Sequence, residues 1–215
     1  MSHIPGEPLV SASSTDSVPA TAPLPLARTS AATDIALVAT FAALLAVCAI
    51  LPPIAVAGLA VPITLQTFGV MLAGLVLGSR RGSLAVLLYL SVGFAGLPVF
   101  AGGSGGVGVL GTASAGYLLA FPFAAFLAGF LAQRAASVRP ALRYPALFGS
   151  AMTASLLLIH PIGITVMGWR LGMSATEAIA AGATFLPGDV IKNLLAALVA
   201  TAVFRAFPDL LRRSR

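Results

Sequence analysis

The stretch Phe185–Asn193, FLPGDVIKN, sets an aspartate and a lysine three residues apart in a chain that carries almost no charge. Charged residues make up 8% of the 215, and an ionisable group at the centre of a bilayer costs about 2.5–3.5 kcal/mol. Asp189 and Lys192 therefore need a reason. Pro187 suits the first turn of a helix, where its missing N–H has no intrahelical partner to lose, and the apolar run from Val190 to Phe204 continues that helix. The two charges then share one face near its start. Asp189 is favoured there by the helix dipole and Lys192 is not, so the lysine is either an intrahelical partner for Asp189 or half of an anion site.

Working outward, 59% of the residues are hydrophobic and the mean hydropathy is +1.02, which places the chain among polytopic membrane proteins. The formal charge of +6 comes from short arginine clusters between apolar runs. Such clusters read as orientation signals, and nucleic acid is excluded as a partner. Cys48, the single cysteine, lies in an apolar run, which leaves no disulfide framework and no thiolate metal site.

Residues 1–33 are rich in Ser, Thr, Ala and Pro and read as a disordered tail without a signal peptide. Residues 34–215 read as one membrane domain. Its first helix runs from about Asp34 to Leu51 and stops at Pro52-Pro53. Alanines four apart (Ala32/Ala36, Ala39/Ala43, Ala42/Ala46) are either a close-approach surface for another helix or a chance result of abundant alanine. VPITLQTFGV (61–70) opens a second helix ending near Gly78, with Thr64, Gln66 and Thr67 facing a cavity or capping the start. The cluster Ser79-Arg80-Arg81-Gly82 turns the chain into a third segment, from Ser83 to about Phe94. Both segments fall short of the roughly 20 residues of a full span. GLPVFAGGSGGVGVLGTASAG (96–116) has too many glycines for a membrane helix and lacks the Gly-Lys-Ser/Thr of a phosphate loop. A fourth helix covers about Tyr117 to Gln133 and a fifth about Tyr144 to Trp169, with both aromatics at interfacial positions. His160 lies inside the fifth, as a ligand contact, a proton relay or a histidine bonded to a neighbouring carbonyl.

The expected fold is therefore an all-α membrane protein, a six-transmembrane-helix bundle. Arg28, Arg80, Arg81, Arg134, Arg139, Arg143, Arg205, Arg212, Arg213 and Arg215 all fall on one side, so the positive-inside rule makes the N and C termini cytoplasmic. VPITLQT, the Gly-rich non-helical loop and the Asp189/Lys192 helix start then share the outward side, where a pocket is expected. A cation, an acidic acceptor and closely approaching backbone suit a small, largely apolar acid with an amide-like head. Nothing resembles a catalytic elbow or a metal cluster.

VPITLQT (61–67), LGSRRG (77–82), GLPVFAGGSGG (96–106) and FLPGDVIK (185–192), in this order and spacing, resemble the BioY family, the biotin-specific S components of energy-coupling factor transporters. The resemblance covers everything after residue 33. One departure stands out: Thr112-Ala113-Ser114-Ala115-Gly116-Tyr117 occupies the place of the family's Gly-Pro-Thr-Gly-Gly-Tyr run. The resemblance implies high-affinity capture of biotin at the cell (cytoplasmic) membrane, with no enzymatic activity and no cofactor. It implies substrate contacts at Asp189 and Lys192, with Tyr117, Gly102, Gly103, Ser104 and Gln66 lining the pocket. We assign Lys192 to the valerate carboxylate and Asp189 to a ureido N–H, the opposite polarity being the alternative. It further implies a transmembrane coupling (T) subunit and two ATPase subunits as partners, with Ala36, Ala39, Ala43 and Ala46 facing the coupling subunit. The rival readings are an S component for thiamin or riboflavin, a self-sufficient secondary transporter and an intramembrane enzyme. Thiamin's positive charge fits badly beside Lys192, and an aromatic content of 7% offers riboflavin little stacking.

Overall fold

A computed structural model describes residues 31–53, 61–135 and 138–207. Most of the tail expected over residues 1–33 lies outside these residues, as do Arg28, Arg212, Arg213 and Arg215. The described residues form helices α1 (Ala31–Ile50), α2 (Gln66–Phe94), α3 (Ala115–Ala135), α4 (Pro140–Ala154), α5 (His160–Leu171), α6 (Ala175–Ala183) and α7 (Leu186–Ala206). No strand occurs among them. Five helical runs are long and apolar enough to cross a membrane, α4 and α5 counting as one continuous run. α1 begins three residues before the expected Asp34, which puts that carboxylate in its first turn.

α2 makes two passes. Gly78, at φ 82° and ψ −177°, breaks it into arms 66–77 and 79–94, a backbone conformation that only glycine adopts readily. In a straight helix Gln66 and Tyr89 would stand about 34 Å apart, yet Gln66 Nε2 donates to Tyr89 Oη at 2.8 Å. The arms therefore run antiparallel, and the described residues make six passes. A Cβ on Gly82 would lie 2.8 Å from the Ala73 carbonyl oxygen, one on Gly74 2.5 Å from that of Ala125, and one on Gly129 2.4 Å from the Gly78 carbonyl carbon. Such contacts let three backbones meet where lipid supplies no hydrophobic drive for helix association. The arms measure about 18 Å and 24 Å at 1.5 Å per residue, against a hydrocarbon core of about 30 Å. The extended segment 61–65 and the loop 95–114 flank them at the far end.

Charge divides the bundle into two ends. Arg81 Nη2 lies 2.9 Å from both carboxylate oxygens of Asp34, tying the start of α1 to the turn of α2. Ser79 donates to Gln133 Oε1 at 3.1 Å, which brings the end of α3 to the same place. Arg80, Arg134, Arg139, Arg143 and Arg205 follow from the direction of the passes. Arg170 and Lys192 lie at the opposite end. Tyr144 and Trp169 are separated by about 38 Å of helix, close to the distance between the two interfaces of a bilayer.

Between α4 and α5 the ladder widens into a π-turn, Ser155–Ile159. Pro161 causes it, having no N–H to donate and a ring that crowds the carbonyl four residues back. α6 was not anticipated. Its signature is legible in retrospect: Gly172 ends α5 at φ 65°, and Ser174 and Glu177 form a reciprocal capping box.

Candidate functional site

The end of the bundle remote from the arginine clusters holds a cavity of about 620 Å³, its open mouth included. Four separate stretches wall it: the segment 61–67, the Gly-rich loop, the start of α3 and the start of α7. Gln66, Ser104, Tyr117, Asp189 and Lys192 all face it. Gly102 and Gly103 do not. Both are exposed in the turn between Phe100 and Ser104, at φ 68° and 72°. The reason is local: Gly103 N donates to Phe100 O at 3.0 Å and Phe100 N to Ser104 O at 2.9 Å. This small bridge turns the glycines outward while Phe100 and Ser104 reach the cavity. Gly106 N donates to Gly93 O at 2.7 Å, anchoring the loop to the end of α2. Non-helical backbone at membrane depth needs such internal partners.

The polar wall is built around Asp189, which is 4% exposed. Its Oδ1 accepts from Lys192 Nζ at 2.8 Å and from Thr67 Oγ1 at 2.9 Å. Lys192 Nζ also donates to Thr67 Oγ1 at 3.1 Å. Asp189 and Lys192 are thus an intrahelical pair and cavity-lining groups at once. Oδ2 of Asp189 faces His160 Nε2 at 3.4 Å. His160 does not line the cavity; it stands behind Asp189, with Nδ1 3.1 Å from the Ser155 carbonyl that the π-turn presents. Among the described residues, Tyr117 Oη and His160 Nε2 are enclosed without a hydrogen-bond partner. An ammonium has three donors, and those described here engage two, so one hydrogen of Lys192 remains for a guest.

The rest of the lining is largely apolar, with Phe100, Phe121 and Phe185 beside Tyr117. Sequence reasoning missed these phenylalanines because composition averages over the chain. Tyr117 meets Phe185 edge-on with centroids 5.8 Å apart, and Gly163 makes room for it, since a Cβ there would fall 2.3 Å from the tyrosine ring. Below the loop, Tyr89 donates to Val99 O at 3.1 Å and meets the Phe100 ring edge-on. A second, apolar hollow of about 500 Å³ opens on α1, lined by Ala39, Ala42, Ala43 and Ala46 with Leu88, Tyr89, Val92 and Val99. Ala36 is exposed on the same helix and lies outside that lining.

Comparison with known proteins places this architecture. The model of the BioY family matches residues 19–209. The biotin transporter BioY of Rhizobium etli is 39% identical over 183 residues, covering 84% of this chain and 98% of the relative. That of Rhodobacter capsulatus is 38% identical over 189 residues, covering 83% and 96%. The crystal structure of the S-component for biotin from an ECF-type ABC transporter superposes with a TM-score of 0.76 at 25% identity, over 81% of this chain and 92% of that one. A family model spanning most of the sequence, and relatives matched nearly end to end, establish that the chain belongs to the BioY family.

Proposed function

We propose that the chain is the substrate-capture S component of an energy-coupling factor transporter and that its ligand is biotin. The observation that carries this reading is the Asp189–Lys192–Thr67 cluster, buried at the wall of a cavity otherwise lined by aromatic and aliphatic side chains. Biotin's carboxylate takes the open hydrogen of Lys192, which Asp189 holds from 2.8 Å, and the apolar rings and chain lie against Phe100, Phe121 and Phe185; a pair this close meets only one end of an extended biotin, so the ureido head expected at Asp189 lies elsewhere along the cavity. Tyr117 Oη, lacking a described partner, serves the ureido oxygen or a bridging water. The chain binds and positions; bond-breaking chemistry is not its task.

The arginine-rich end faces the cytoplasm, following the positive-inside rule, so that both termini are cytoplasmic and the cavity and Gly-rich loop open outward from the cytoplasmic membrane. The membrane domain starts with α1, and the residues before it are dispensable for the fold. Energy comes from a transmembrane coupling subunit and two ATPase subunits, and the hollow along Ala39, Ala43 and Ala46 takes a helix of the coupling subunit, with Ala36 at its margin. The four rings at the cavity restore some weight to riboflavin, a flat aromatic vitamin. A displacement assay separates the two: labelled biotin bound to the detergent-purified chain should yield to unlabelled biotin and withstand an excess of riboflavin or thiamin. Displacement by riboflavin at equal concentration would transfer the assignment to that vitamin.

A further inference from the structure

His160 has no part in the capture just described, yet its surroundings fix its hydrogens. Nδ1 of His160 meets the Ser155 carbonyl at 3.1 Å and the Ser155 hydroxyl at 3.4 Å; the carbonyl is the nearer and can only accept, so Nδ1 carries a proton and the hydroxyl accepts or turns away. In a neutral imidazole the other nitrogen is then bare, and Nε2 turns a lone pair towards Asp189 Oδ2 at 3.4 Å. Two acceptors face each other in a site where His160 is 5% and Asp189 4% exposed. A proton on Nε2 converts that contact into an ion pair.

The charge balance of the cluster says when the proton arrives. Asp189 and Lys192 sum to zero, so an anionic guest brings a negative charge that nothing in the cluster offsets. No further charge is near enough to help among the described residues. From α3, Tyr117 packs on Gly163, about one turn along α5 from His160, and carries no charge. On α4, Arg143 and Tyr144 precede it by more than about four turns. Glu177 on α6 is exposed and held by Ser174, and Arg170, at the far end of α5, donates to the Leu110 carbonyl at 2.9 Å.

We propose that His160 takes up a proton when a carboxylate enters the cavity, so that binding consumes one H⁺ per anion captured. His160 is a positioning residue in this scheme. It touches no substrate atom; protonated, it holds Asp189 through Oδ2 and supplies the positive charge that the guest requires. The inference rests on the assignment of an anionic vitamin to the cavity.

The test is calorimetry of the full chain in detergent, titrating biotin in phosphate and in Tris at one pH on the alkaline side of the imidazole range. The dependence of the observed heat on the buffer's ionisation enthalpy counts the protons. Wild type should take up close to one per biotin, its affinity should fall about tenfold per pH unit in that range, and biotin amide should bind with no uptake. His160→Gln should bind biotin with no uptake and a flat pH profile, and its binding of the amide shows that it is folded. Zero uptake by wild type that binds biotin, or undiminished uptake by His160→Gln, overturns the proposal. Should His160→Gln fail to fold, equal uptake for biotin and its amide in wild type overturns it as well. Absence of any biotin binding in both buffers would refute the functional reading instead, and this inference with it.

Discussion

Lys192→Met combined with replacement of biotin by its amide interrogates the polarity of the bound substrate. Lys192 Nζ lies 2.8 Å from Asp189 Oδ1 and 3.1 Å from Thr67 Oγ1, and the residue is 8% exposed. Its third hydrogen is therefore available to a carboxylate without breaking either bond. A hydrogen bond to a charged group contributes about 1.5–3 kcal/mol, and 1.4 kcal/mol is tenfold in affinity, so the amide should bind wild type about 10- to 150-fold more weakly than biotin. In Lys192→Met both ligands should bind weakly and equally, because the group that distinguishes them is gone. The variant also leaves a buried carboxylate short of its cation, a loss of about 3–5 kcal/mol in stability. A thermal melt must precede the titrations, which are best run in the cold. Equal affinity for biotin and its amide in wild type would refute the assignment of Lys192 to the carboxylate and turn the ligand round, with its acid towards the outer water.

Other perturbations address the remaining parts of the molecule. Ala39→Trp fills the hollow on α1, none of whose lining residues faces the cavity, and should leave biotin binding intact while abolishing ATP-driven uptake in cells carrying the whole transporter; equal loss of both would sink the partner-surface reading. Gly129→Val pushes a side chain into the Gly78–Ser79 backbone, which cannot yield as a flexible side chain would. It should lose about 1–3 kcal/mol or more, read as a lowered melting temperature in detergent. Glu177 titrates below the ordinary carboxylate range because the Ser174 hydroxyl, and then the Ser174 backbone N–H, bond its ionised form. A depressed pKa means the cap stabilises α6 at neutral pH and loses that effect as pH falls through the Glu177 titration. Ser174→Ala should move this titration upward, measurable by NMR of a labelled Glu177.

The passes of the bundle and the polar pole of the site were legible because both are written in strong local signals. Charge is so scarce that Asp189 and Lys192 stand out, and arginine clusters mark alternate ends of the helices. Gly78 beside Ser79-Arg80-Arg81-Gly82 announces the turn that makes two arms of α2. What could not be read depends on distance in space. Thr67 joins Asp189 across 122 residues, and His160 stands beside it at the end of the π-turn that Pro161 induces. Gly102 and Gly103 were expected at the cavity because glycine permits close approach. Their positive φ serves the turn instead, and Phe100 and Ser104 make the approach. α6 was hidden by its brevity, its apolar residues merging with those that open α7.

The central claim is that Asp189 at the start of α7 holds biotin inside the membrane domain. Its most direct test is calorimetric titration of biotin into the detergent-purified chain and into Asp189→Asn, which keeps the shape and removes the charge. Wild type should bind one biotin per chain saturably, and the variant should lose that binding. Wild type that gives no binding heat and no displacement of labelled biotin, or Asp189→Asn that binds as tightly as wild type, would contradict it.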